Sequence, residues 1–223
     1  MCNEAARRIS LDLLRDDWSQ LKVPLVFPEG LPNLAPLDSI RITDPTFILR
    51  ANSEGEGVEQ GPPQSTTLRG VEGVTRRWSW PAPGGKPVYN FRSEGRAFTN
   101  GDTAGRCLIP VDAFFEFTDP PPDLLGTAPK RARKDKWRFT HADDAWFCIA
   151  GWWRTEPALG EGRAGQAFTM LTCEPGPDIA PYHRRQIVLP PRQQWAGWLD
   201  GSLPASEVCR PTPAGTLTVE RAG

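Results

Sequence analysis

The chain has 223 residues, of which 39% are hydrophobic and 24% are charged, with 21 Gly and 24 Pro. This composition is typical of one large globular domain or two small ones, and it excludes a coiled coil, a collagen-like chain and a disordered tail. The formal net charge of −1 gives no nucleic-acid signal, and the longest apolar run, from Ala145 to Trp153, is too short to span a bilayer.

The first half of the chain predicts one helix and several short strands. Leu11, Leu14, Trp18 and Leu21 recur at helical spacing, which predicts an amphipathic helix over residues 9–21. A Pro-rich irregular segment over 22–39 precedes a strand within residues 41–51, and residues 52–67 form a predicted exposed loop. Ordered loops with short strands are expected over 74–98, followed by a buried strand or strand pair over 106–117.

The second half predicts further strands separated by loops. Residues 137–141 and 145–153 read as a hairpin turning at two Asp residues, after a long loop over 118–135. A strand over 167–173 follows a Gly-rich loop over 154–166, and a short helix over 190–199 ends at Gly201. A last strand covers 216–220. With no repeat and no regular alternation of strands and helices, we expect an α+β fold: a single domain, mixed and mainly antiparallel, with a few short helices.

The five cysteines are Cys2, Cys107, Cys148, Cys173 and Cys209, and no two of them form a C-x-x-C pair. This spacing predicts neither a disulfide framework nor a zinc site, so no metal and no cofactor are expected. Cys107 lies in an apolar strand, where a small core residue is the expected role. The start MCNEAARR has no apolar segment, so we expect no signal peptide and a cytoplasmic protein.

Cys2 has the most distinctive potential chemistry. Removal of Met1 would leave an α-amine and a thiol on adjacent carbons, both partly nucleophilic at neutral pH. Such an aminothiol condenses with an aldehyde to an imine, and its sulfur then closes a thiazolidine ring. The alternative is an incidental cysteine at a frayed terminus.

Several segments, in this order, resemble the SOS response-associated peptidase (SRAP) family, whose members crosslink themselves to abasic sites in single-stranded DNA. The matching segments are Met1-Cys2, Asn33 to Pro36, Trp78 to Pro83, Asn90 with Arg92, Arg106 to Phe117 (RCLIPVDAFFEF), Ala150 to Trp153, and His183 with Arg185. The resemblance covers about residues 1–200 and implies an SRAP-like fold. The family usually reads Cys-Gly-Arg at its start, whereas Glu4 replaces that DNA-holding Arg here, which predicts a lost or repulsive contact.

The resemblance implies a catalytic set of Cys2, Asn90, Glu116 and His183. Glu116 lies in an apolar run of Phe residues, where desolvation should raise its pKa toward neutrality. His183 titrates near physiological pH, and Asn90 can donate and accept hydrogen bonds to orient the amine or the sugar. The alternatives without a catalytic role are an outward-facing Glu116 on a strand edge, a loop-capping Asn90 and a surface His183.

The expected DNA contacts are Asn33, Arg77, Trp78, Arg92 and Arg185. The arginines are candidates for phosphate contacts, and Trp78 for stacking on a base, with core packing as its alternative. A basic run, Lys130 to Arg138, holds six cations and one opposing Asp135. That run either binds a polyanion or forms a solvated loop, which is the more frequent outcome.

The resemblance therefore predicts an enzyme of the DNA damage response that removes its own Met1 and forms a thiazolidine crosslink through Cys2. Abasic-site lyase-like chemistry is implied as well. The expected partner is single-stranded DNA with abasic sites, bound by a monomer that is nucleoid-associated only when on DNA. Two alternatives stay open. One is a cysteine peptidase using Cys2, His183 and Asn90, and the other is a non-covalent single-strand binding module using the basic loop.

Overall fold

The computed structural model describes residues 2–52, 68–82, 84–120 and 133–223. Most of the two predicted loops over 52–67 and 118–135 therefore lies outside the described residues. The strands are β1 Glu4–Arg7, β2 Leu25–Val26, β3 Leu37–Arg41, β4 Pro45–Ala51, β5 Val71–Trp78, β6 Trp80–Pro81, β7 Pro87–Val88, β8 Asn90–Arg92, β9 Ala104–Val111, β10 Ala113–Thr118, β11 Asp135–His141, β12 Phe147–Thr155, β13 Gln166–Cys173, β14 Gln186–Ile187 and β15 Leu217–Arg221. The α-helices are α1 Leu11–Gln20, α2 Trp195–Asp200 and α3 Ala205–Val208, and short 3-10 turns cover Pro157–Leu159, Gly162–Gly165 and Arg192–Gln194.

Five strands close into a ring in the order β5, β4, β9, β12 and β13. Neighbours within this order pair antiparallel, and the ring closes where β13 runs parallel to the end of β5, with Ala167 opposite Arg77 and Phe168 opposite Trp78. Strands β8 and β14 add to the far end of β13, because β8 pairs in parallel with residues 170–172 and β14 pairs with residues 172–173.

A second sheet has the order β15, β11, β10, β1, β3, and all of its pairings are antiparallel. Strands β9 and β10 follow each other almost without interruption, so this stretch of chain belongs first to the ring and then to the second sheet. Large buried side chains fill the space between the two sheets, including Phe114 and Phe139 from the second sheet and Ile149 and Phe168 from the ring. This shared core places the start of the chain against the ring.

The helices pack on another cluster of ring residues. Ser10 begins α1 by accepting a hydrogen bond from the backbone N–H of Leu13 at 3.2 Å, a usual N-cap arrangement. Leu14 and Trp18 form the buried face of α1, and Trp18 packs near Trp195 of α2. Gly201 ends α2 with a φ of 84°, a left-handed conformation that glycine adopts without strain.

The structure confirms the α+β class, with mainly antiparallel mixed sheets and few helices. It also corrects the predicted hairpin over 137–153. Strand β11 pairs with β10 and β15 in the second sheet, whereas β12 pairs with β9 and β13 in the ring. The connection crosses from one sheet to the other, and it is held there by Trp146, whose indole N–H donates to Asp17 at 2.6 Å. None of the described helices is long and apolar enough to cross a membrane.

Candidate active site

Cys2 lies two residues before the start of β1, which is an internal strand between β10 and β3, so the start of the described chain is built into the fold. Its side chain is 1% exposed, and Sγ donates to the backbone carbonyl of Glu4 at 3.3 Å. Its own carbonyl oxygen accepts a hydrogen bond from Nδ2 of Asn90 at 2.7 Å. Its backbone N–H donates to the carboxyl group of Glu116. The main chain of Cys2 is therefore held at both its nitrogen and its carbonyl.

Glu116 is the buried carboxyl group of this site, with an exposure of 2%. It follows Phe115 on β10, so the alternation of a strand puts its side chain on the same face as Phe114, toward the core between the sheets. Burial raises the pKa of Glu116 from an ordinary 4.5 to about 7, and the hydrogen bond from Cys2 opposes the rise. At neutral pH this group can therefore both give up and take up a proton.

The pKa of the Cys2 thiol is shifted in the opposite direction to that of an activated cysteine. Burial raises its pKa above the usual range, and the nearby charge of Glu116 raises it further. A reactive thiolate instead needs a pKa lowered by a cation or a helix N-terminus. The group of Cys2 that lies against a proton acceptor is its nitrogen.

Asn90 is positioned by β8, where it lies opposite Met170 of β13. Its Nδ2 is used by the carbonyl of Cys2, whereas Oδ1 is buried with no hydrogen-bond partner among the described residues. A buried carbonyl oxygen without a partner costs free energy, and it is able to accept a hydrogen bond from a substrate hydroxyl. Asn90 can therefore hold Cys2 and a ligand at the same time.

His183 follows a turn that ends near the same end of β13 as Asn90, because β14 and β8 both pair there. Its Nδ1 lies 3.0 Å from the backbone N and 2.9 Å from the backbone O of Arg185, so the tautomer decides which contact is a hydrogen bond. Burial lowers the pKa of His183, the hydrogen bond with the backbone of Arg185 opposes this, and the charges of Arg184 and Arg185 lower the pKa further. The imidazole is therefore mainly neutral at neutral pH, and its orientation is fixed through Nδ1.

Four of the five predicted DNA contacts fall into three groups by their surroundings. Asn33 and Arg92 are exposed. Arg77 is half-buried, with Nη1 at 3.4 Å from the carbonyl of Thr43. Trp78 is fully buried in the core and donates its indole N–H to the carbonyl of Tyr89 at 2.9 Å. Its environment is that of the core-packing alternative, because no face of its ring is open for a base.

The fifth predicted contact, Arg185, is already paired with an anion. Both of its terminal nitrogens donate to the carboxylate of Glu94, with 2.8 Å between Nη2 and Oε2. Nη2 also donates to the carbonyl oxygen of Thr172 at 2.8 Å. Sequence reasoning did not single out Glu94, although its place two residues after Arg92 was available as a signal.

Glu4, the departure from the family pattern, is neutralised within the fold. Its Oε1 accepts from Nζ of Lys136 at 2.7 Å and from the hydroxyl of Ser39 at 2.8 Å. Burial alone would raise the pKa of Glu4, but the hydrogen bonds from Lys136 and Ser39 outweigh it and lower the pKa. Because its charge is paired, Glu4 does not present an isolated carboxylate that would repel a DNA phosphate.

Three cations in the described part of the basic run are likewise paired with acids. Lys134 lies 3.3 Å from Asp119, Lys136 binds Glu4, and Arg138 binds Glu220 at 2.8 Å. Lys130 and Arg131 lie outside the described residues. The two cations of this run that lie on β11, Lys136 and Arg138, therefore each have an acidic partner within the protein.

The comparisons with known proteins concern the fold and the family of the chain. The family model "SOS response associated peptidase (SRAP)" matches residues 1–222. A protein of known structure from Bordetella bronchiseptica is similar over 100% of both chains, with a TM-score of 0.64 and 21% identity. A phage-related protein from the same organism is similar over 99% of this chain and 94% of its own, with a TM-score of 0.60 and 16% identity. At these identities the two structures show the fold alone. No curated protein matches the sequence. Since the family model spans nearly the whole chain, this protein belongs to the SOS response associated peptidase (SRAP) family.

Proposed function

We propose that this protein, once Met1 has been removed, forms a covalent thiazolidine between Cys2 and the aldehyde of an abasic site in single-stranded DNA. The observation that carries the proposal is the pairing of the Cys2 nitrogen with the carboxyl group of Glu116. Removal of Met1 turns that amide nitrogen into a primary amine, which is the nucleophile that an aldehyde requires. The amine would then already lie beside a group that exchanges protons near pH 7.

The reaction has two bond-forming stages and needs no oxidant or reductant. The amine of Cys2 attacks the aldehyde carbon, and loss of one water molecule gives the imine. The sulfur then adds to the imine carbon, while the thiol proton is transferred to the nitrogen. Glu116 would take a proton from the attacking amine and return it to the departing oxygen. The thiol can stay protonated until this second stage, which agrees with the raised pKa of Cys2.

The remaining site residues have separate tasks in this proposal. Asn90 holds the carbonyl of Cys2, and its buried Oδ1 would accept a hydrogen bond from a sugar hydroxyl. His183 would move a proton on the ring oxygen of the sugar, because the abasic sugar is mostly a closed hemiacetal and only the open aldehyde reacts. The exposed Arg92 would bind a backbone phosphate.

A cysteine peptidase is the second candidate, and the family name favours it. The contacts of the site support it less. In a Cys-His-Asn arrangement the Asn orients the imidazole and the Cys is activated as a thiolate. Here Asn90 binds the backbone of Cys2, and burial keeps the thiol of Cys2 protonated. The ion pairs of Lys134, Lys136 and Arg138 likewise weaken the candidate of a non-covalent module that binds through the basic run.

The experiment is crosslinking to single-stranded DNA from which one uracil has been excised, followed by denaturing gel electrophoresis and intact mass spectrometry. Cys2→Ala should abolish the denaturation-stable adduct while binding to intact DNA persists. Cys209→Ala is the matched control, because Cys209 is a partly exposed thiol outside this site and its loss should leave the yield unchanged. A Cys2→Ala protein that forms the adduct at the wild-type yield would remove the thiazolidine from consideration.

A further inference from the structure

A carboxylate of the protein occupies the donors of Arg185 that face away from the core. Nη1 and Nη2 each donate to one oxygen of Glu94, and Nη2 also donates to the carbonyl and hydroxyl oxygens of Thr172 at 2.8 and 3.2 Å. The remaining nitrogen, Nε, is buried with no hydrogen-bond partner among the described residues. The fork formed by Nη1 and Nη2 of Arg185 is therefore not open to two oxygens of a phosphate while Glu94 is in place.

The two partners of this ion pair differ in exposure. The side chain of Arg185 is 14% exposed and is anchored by Thr172, whereas the side chain of Glu94 is 47% exposed. The hydrogen bond from Arg185 lowers the pKa of Glu94, so the carboxylate is charged at neutral pH. Glu94 can consequently turn into solvent without disturbing the core, and Arg185 would stay where it is.

We propose that Glu94 is an internal competitor for the phosphate site of Arg185, so that a DNA phosphodiester binds there by displacing the carboxylate. Two oxygens of a carboxylate and two oxygens of a phosphate match the planar fork of a guanidinium in the same way. This inference rests on the proposed function, because it takes Arg185 to lie on the DNA path. Its consequence is selectivity, since an anion that binds Arg185 no better than Glu94 does is excluded from the site.

The exchange of Glu94 for a phosphate at Arg185 would take place beside His183, one of the proposed site residues. Glu94 lies two residues after Arg92, and the backbone of Arg185 contacts Nδ1 of His183. Because Arg185 keeps its bonds to Thr172 throughout the exchange, the contacts that orient His183 are the same with and without DNA. The exchange of Glu94 for a phosphate therefore changes the charge beside His183 without changing the contacts that orient it.

The test is the affinity for a short single-stranded oligonucleotide without an abasic site, measured by fluorescence anisotropy, so that Cys2 cannot react. Glu94→Gln keeps the shape and removes the charge, and Glu94→Ala removes the contact. Both should tighten binding, by roughly 1.5- to 5-fold, the range of exposed ion pairs. Glu174→Gln is the matched control, because this exposed carboxylate also acts on Arg185 electrostatically and has no hydrogen bond to it among the described contacts.

The decisive comparison adds Arg185→Ala. Glu94→Gln should give no tightening in the Arg185→Ala background. Weaker binding by Glu94→Gln, equal tightening with and without Arg185, or no binding by any variant would each overturn the exchange. The crosslinking assay separates this result from the proposed function. If the wild-type protein crosslinks but Glu94 has no Arg185-dependent effect on binding, the proposed function stands and the exchange at Arg185 is refuted. If that effect is present but the protein does not crosslink, the exchange at Arg185 stands and the proposed function is refuted.

Discussion

Replacing Glu116 by Gln should change how the stability of the protein depends on pH. Folding raises the pKa of Glu116 from 4.5 to about 7, so between these values the native state binds more protons than the unfolded state. The free energy of unfolding therefore falls as pH rises through this window. Each pKa unit corresponds to about 1.4 kcal/mol, which makes the full loss about 3 kcal/mol. Glu116→Gln cannot ionise, so this loss should be missing from the variant.

The measurement is urea unfolding of both proteins at pH 5 and pH 8, with mass spectrometry to establish that their N-termini are the same. Other carboxyl groups act in the opposite direction. The pKa values of Glu4, Glu29 and Glu94 are lowered by folding, so these groups add stability as the pH rises. The difference between wild type and variant cancels these contributions. If that difference is the same at pH 5 and pH 8, burial does not raise the pKa of Glu116, and the proposed proton exchange with Cys2 loses its physical basis.

Three further predictions concern the reaction and its DNA path. Arg92→Ala should weaken binding about equally for all sequences and reduce the slope of log affinity against log salt by about one, whereas Lys134→Ala, which removes a cation paired with Asp119, should have a smaller effect. An unchanged slope for Arg92→Ala would place that residue off the DNA path. Glu116→Gln should slow crosslinking on the order of 100- to 10,000-fold on any aldehyde substrate, and His183→Ala should slow it less on a substrate locked as the open aldehyde than on ordinary abasic DNA. Equal impairment of His183→Ala on both substrates would exclude a role in ring opening.

Local sequence pattern predicted those helices and strands whose own residues show a helical spacing or a β-rich composition. The spacing of Leu14 and Trp18 predicted α1, and the β-rich character of residues 167–173 predicted β13. Strand β1 was not predicted, because Glu4 to Arg7 has little β propensity and owes its conformation to pairing with β10 and β3. The hairpin over 137–153 was predicted wrongly for a related reason. Strand pattern does not reveal which partner a strand takes when the partners lie far away in the sequence.

The burial of Glu116 was predicted correctly, but partly for a reason that the structure does not bear out. The Phe residues on both sides of it were expected to desolvate the carboxyl group. In the strand, Phe115 and Phe117 lie on the opposite face, where they form a small cluster with Ala113. The desolvation comes instead from the core between the two sheets, where Cys2 also lies. Only the folded structure brings those groups together, so sequence proximity identified the residue without identifying its surroundings.

The internal position of β1 also sets a time limit during synthesis. Glu4 pairs with Arg41 and with Phe115, so β1 lacks its second partner until more than 110 residues have been made. At about 5–20 residues per second, this interval lasts on the order of 5–25 s. During that time Cys2 precedes a strand that still has one free edge, whereas in the folded protein its side chain is 1% exposed. We therefore expect that another enzyme would remove Met1 from the growing chain, before β10 arrives, whereas self-removal that uses Glu116 of β10 can only follow folding.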